Sequence, residues 1–146
     1  MRPTAQHRII RGWGRLGSAA LLAGLLMGVA APPARAATFD VPDGDVAGLI
    51  AAINAANGNG QPDTINLAAN GTYVVTTGPY AAAGPNGLPS ITSQITVNGN
   101  GATIERSSAG GTPRFRILHV AGSGDLTLND VTVQNGHTPD GTGMGD

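Results

Sequence analysis

The sequence predicts an all-β fold of short strands entered through a single helix, and three observations predict it. Triplets of β type recur between Gly, Asn, Asp and Ser from Ile65 onward. The triplets keep a common spacing, with 22 residues from Ile95 to Ile117 and again from Ile104 to Leu126. Ahead of them, one stretch has helical periodicity. Spacing by itself leaves two arrangements open. Short strands can stack coil on coil along an axis, about 4.8 Å apart, as a solenoid, or they can form an irregular sandwich.

The first 36 residues stand apart from this pattern. Arg2, His7, Arg8, Arg11 and Arg15 precede any acid, and Asp40 is the first acidic residue. The stretch Ala19–Ala31 is apolar, Pro32 and Pro33 end any helix, and Ala34-Arg35-Ala36 has the small-x-small pattern of a cleavage site. A helix that crosses a membrane needs about 20 apolar residues, and the 13 residues of Ala19–Ala31 are too few. The segment is therefore expected to be a secretory signal peptide covering 1–36, with the mature protein exported to the extracellular space or outer cell surface.

Cleavage there leaves 110 residues, Ala37–Asp146. Five of the eight basic residues leave with the signal and all nine acids stay, so the formal charge moves from −1 to −6. An acidic chain has no electrostatic footprint for nucleic acid or anionic lipid. The sequence has no cysteine, which excludes disulfides and cysteine-ligated metals, and no lysine.

Residues 37–62 are expected to form a short strand at Phe39, a turn, and a helix capped by Asp45 and running through Asn57. Val46, Leu49, Ile50, Ile53 and Ala56 or Asn57 fall on one helical face. Gly58 stands where a helix C-terminus favours glycine. From 63 to 136 the strand triplets are Ile65–Leu67, Tyr73–Val75, Ile95–Val97, Ala102–Ile104, Phe115–Ile117, Leu126–Leu128 and Val131–Val133. Alternation within each points one face inward.

Three stretches carry a resemblance: Asp45–Asn57 followed by Asp63-Thr-Ile-Asn-Leu67, then Ile95–Ile104, then Leu126–Gly136. Their order resembles the N-terminal region of right-handed parallel β-helix proteins of the pectin-lyase-like and polymorphic outer-membrane-protein kind. The resemblance implies a right-handed parallel β-helix of about three coils with a short N-terminal capping helix. Such proteins include adhesins and polysaccharide-cleaving enzymes, so the likeness implies a fold more than a function. In relatives the loop after such a coil leads to further coils. The Gly-rich tail 137–146 holds no second cap, so the chain is expected to be a fragment of a longer surface protein.

No catalytic constellation stands out. Asp125 and Asp130 flank one strand and would lie about 15 Å apart, too far for one calcium ion. No Gly-x-Ser-x-Gly elbow occurs, and His119 has no acid or serine partner at motif spacing. No metal or other cofactor is expected. Candidate ligand contacts are Tyr80, the one aromatic in the long loop 78–89, and Arg114 and Arg116, which flank Phe115 and face outward if Phe115 and Ile117 face inward. The expected partners are a host surface or a polysaccharide, with no nucleic acid and no stable membrane span in the mature chain. The expected role is adhesin-like or structural; the alternative is the first part of a polysaccharide lyase or hydrolase.

Overall fold

The structure, a computed structural model, describes residues 35–138. Most of the expected signal peptide (1–34) and of the Gly-rich tail (139–146) lies outside the described residues. Six elements follow in chain order: β1 (Thr38–Val41), α1 (Val46–Asn59), β2 (Asp63–Leu67), β3 (Thr72–Val75), β4 (Gln94–Arg106) and β5 (Asp125–Gln134).

Pro42 ends β1, and the turn after it places Asp45 as the helix N-cap. The Asp45 carboxylate accepts a hydrogen bond from Gly48 N at 2.8 Å, which satisfies one orphan amide of the first turn. Leu49, Ala52, Ile53 and Ala56 form the buried face of α1. Val46 and Ile50, expected on that face, are half-buried and pack at its margin. The helix passes Gly58 and stops at Gly60, which takes the left-handed conformation (φ 65°) that ends helices.

Strand β4 is the hub of the sheet. Its first half pairs with β2 (Ile95 beside Asp63, Val97 beside Ile65) and its second half with β3 (Ile104 beside Tyr73). Along its other edge it pairs with β5 from Gln94–Asp125 to Glu105–Gln134. Strand β1 completes the order on the far side of β2. Every one of these pairings is parallel. The layers bend at a shared corner, where Asn70, Asn100 and Asp130 all have positive φ (54°, 51° and 49°). Asn and Asp tolerate that region better than other non-glycine residues. Gly99 fits this corner because a Cβ there would lie 2.3 Å from the Asp130 carbonyl oxygen.

These pairings correct the all-β expectation. The fold is mixed α/β, a curled half-barrel of five parallel-paired strands with one helix, and not a right-handed parallel β-helix of about three coils behind a capping helix. Two findings overturn that reading. The buried face of α1 belongs to the same core as Ile65, Ile95 and Ile104, and the helix packs on β1, β2, β3 and β4, so it is a layer of the fold and not an end cap. The 22-residue spacing also joins no strand pair. Ile95 pairs with Leu126 and Ile104 with Val133, and the aligned Asn98 and Asn129 lie 31 residues apart. Ile117 lies in no strand. Alternation reports which way a side chain points, but nothing about which strand lies beside it. The loops 76–93 and 107–124 lengthen each crossover beyond the apparent repeat.

Candidate functional site

Strand β5 defines the most distinctive surface. Among the described residues it pairs with β4 along one edge only. Leu128 and Val133 are each 40% exposed, and Leu126 and Val131 are half-buried. Beside Val133 lies an open depression of about 490 Å³, lined also by Arg116, Leu118 and His137. On the outer face an amide ladder crosses four strands. Asn66 Nδ2 donates to Asp40 Oδ1 (2.9 Å), Asn98 Nδ2 to Asn66 Oδ1 (3.0 Å) and Asn129 Nδ2 to Asn98 Oδ1 (3.1 Å). Every link donates toward β1. Stacked amides of this kind hold identical residues in register across parallel strands.

The sequence-derived contacts fall near one another but are largely engaged. Tyr80 is half-buried and exchanges both backbone hydrogen bonds with Asn86, at 2.7 and 3.2 Å. Asn86 in turn bridges to Arg116, so Tyr80 and Arg116 flank one buried asparagine. The Arg116 guanidinium donates to the carbonyls of Ala82 and Ala83 and lashes that turn down. Phe115 and Ile117 are buried as the alternation predicts, and Arg114 is exposed between them and Pro113. Arg106, which sequence reasoning passed over, donates to the carbonyls of Thr112 and Pro113 at 2.7 Å each. Its guanidinium lies 5.6 Å from the Phe115 ring centroid, within cation–π range. These two arginines shape loops.

Folding also supplies a pair that local motifs could not show. Ser90 Oγ and His119 Nδ1 lie 2.7 Å apart, joined across 29 residues. A nucleophilic serine needs a base that is itself oriented by a third group. Among the described residues no carboxylate bonds this imidazole. The same segment is tied down from several sides. Asn57 Nδ2 donates to Ser90 O at 2.8 Å and Ile91 N to His119 O at 2.9 Å. The pair therefore reads as a strut between the α1 C-terminus and the 117–121 segment.

Among the described residues two buried side-chain oxygens have no hydrogen-bond partner, Asp63 Oδ2 and Asn86 Oδ1. Tyr73, by contrast, is fully satisfied. Its hydroxyl donates to Val41 O at 2.8 Å and accepts from Ala68 N at 3.0 Å. Burial pushes its pKa above the ordinary 10.0, against the opposing effect of the Ala68 hydrogen bond.

Among the described residues no group of three or more His, Cys, Asp or Glu could hold a metal ion. None of the described helices is long and apolar enough to cross a membrane. Compared with known proteins, the chain matches no family model, and neither a curated protein nor a solved structure matches it significantly.

Proposed function

We propose that the protein is exported and acts outside the cytoplasm in an adhesin-like or structural role, by holding an extended polypeptide strand along β5. The basic segment, apolar run and Ala34-Arg35-Ala36 pattern support export. The open edge of β5 carries the binding part of the reading. A strand edge presents unpaired amides and carbonyls that a further strand can satisfy, and alternate side chains give selectivity.

The register favours a strand of its own kind. Ile95-Thr96-Val97-Asn98 of β4 lies beside Leu126-Thr127-Leu128-Asn129 of β5, like beside like. A third strand with the same apolar–Thr–apolar–Asn pattern would cover Leu126 and Leu128 and extend the amide ladder.

The test uses the exported protein and a synthetic peptide of residues 125–134. Saturable binding, followed by NMR shifts confined to β5, is the expected result. Leu128→Lys should abolish it. Absence of binding overturns the strand-docking reading. Recovery of the chain only in the cytoplasm overturns export. Turnover of an acidic polysaccharide by the exported protein would replace the binding role with carbohydrate cleavage.

A further inference from the structure

We infer that cleavage of the Ala36–Ala37 bond completes the core, because the α-ammonium it creates on Ala37 forms a buried ion pair with Asp63. The inference rests on the export reading above and names what processing does to the fold. Asp63 opens β2 on the same inward parity as Ile65 and Leu67, and it is only 2% exposed. A carboxylate in that position is costly unless it is paired.

Its partners in the uncleaved chain are two neutral amides. Ala37 N donates to Oδ1 at 2.6 Å and Asn59 Nδ2 to the same oxygen at 3.0 Å. Among the described residues Oδ2 is buried with no partner. The backbone holds Ala37 in place independently, since Thr64 N donates to Ala37 O at 2.9 Å. The bond to be cut is accessible, because Arg35 and Ala36 are exposed. The small-x-small pattern of residues 34–36 directs the cut to the nitrogen that already touches Asp63.

The chemistry balances with water as the co-reactant and a signal peptidase as catalyst. Water adds to the Ala36 carbonyl carbon, the C–N bond breaks, and Ala36 leaves as a carboxylate. The freed amine on Ala37 holds an added proton at neutral pH. One amide hydrogen thereby becomes three ammonium hydrogens. One keeps the contact to Oδ1, and a second serves Oδ2 of the same carboxylate. A buried charge that was solvated only by amides gains an opposite charge at hydrogen-bond distance.

The absence of lysine makes this directly measurable. In the processed chain the α-amine of Ala37 is the sole primary amine. The full chain is expressed in an exporting bacterium and the product weighed by intact mass spectrometry, which should place the first residue at Ala37. An uncleaved chain kept in the cell overturns the export reading and this inference with it. An exported chain beginning elsewhere overturns the inference alone. The amine is then acylated at pH 8. Pairing with a buried carboxylate favours the charged, unreactive ammonium, so labelling of the folded protein should be roughly tenfold slower than in urea. Equal rates overturn the proposal.

Asp63→Asn should restore fast labelling, but it also changes a buried side chain on which folding depends. The second variant therefore leaves Asp63 intact and inserts one glycine after Ala36, so that the mature chain begins with it. This carries the ammonium about 3.8 Å away. Labelling should become fast, and the folding equilibrium constant should fall roughly a hundredfold as the buried charge loses its partner. Slow labelling of this variant would overturn the proposal.

Discussion

Strands β4 and β5 are near copies in pattern and opposites in environment. Both alternate apolar and polar residues, both bend at a positive-φ corner (Asn100 and Asp130), and they pair in register for most of their length. In β4, Ile95, Val97 and Ile104 are 5% exposed or less. Their partners Leu126, Leu128 and Val133 range from half-buried to 40% exposed. The difference teaches that alternation sets which face a side chain joins, while burial depends on having a neighbour on each side. Strand β4 has β2 and β3 along one edge and β5 along the other; among the described residues β5 has β4 alone.

Matched substitutions sharpen that contrast, and the largest effect belongs to the interior. Ile104→Ala should cost about 2–5 kcal/mol in urea unfolding of the protein, as transfer and cavity costs combine. Val133→Ala, at the paired position on β5, should cost about 0.5 kcal/mol. Comparable losses at the two sites would mean that Val133 is covered in solution.

The corner comes next. Gly99→Ala drives a Cβ into the Asp130 carbonyl, and the backbone has to yield, at about 1–3 kcal/mol. Since the clash lies between β4 and β5, hydrogen exchange should quicken first along β5. Uniform quickening would deny that the two strands differ in stability.

Tyr73 lies beside Ile104 and anchors the buried side of β4. Tyr73→Phe removes the hydroxyl that bridges Val41 O and Ala68 N, which keep their own 3.1 Å hydrogen bond, and should cost about 1 kcal/mol at pH 7. Its raised pKa adds a pH signature. Stability from the neutral phenol is complete below pH 10 and is lost as pH rises through the folded-state pKa. The gap between wild type and Tyr73→Phe should therefore narrow in alkaline urea titrations, and a constant gap would argue against burial of the hydroxyl. The smallest contrast lies in the ladder. Asn98→Ala should cost about 1 kcal/mol because it breaks two links, and Asn129→Ala a few tenths because it breaks one exposed link.

Local chemistry was legible in the sequence, and partner choice was not. Asp45 announced the helix start, and the 3.6-residue period marked Leu49, Ile53 and Ala56 as buried. Alternation placed Phe115 and Ile117 inward even though they belong to no strand. The same alternation carried an unused signal. Asp63 shares the parity of Ile65 and Leu67, so an acid on the core face could have been read directly from Asp63-Thr-Ile-Asn-Leu67. The strand partners remained hidden because every triplet looks alike, and loops of unequal length separate them. Ser90 and His119 meet only because two long crossovers bring distant segments together. Arg106 and Arg116 carried no sign that loop carbonyls would occupy them.

The amide ladder has a consequence for assembly. Because each asparagine donates toward β1, the ladder terminates in the Asp40 carboxylate on one side and turns the carbonyl end of Asn129 outward on the other. Both rims offer acceptors. Two molecules meeting β1 against β5 would bring oxygen to oxygen at this position, while a strand bearing an asparagine amide would find its acceptor waiting. A single polarity of side chains thus discourages open-ended stacking of the protein on itself through β1 and β5.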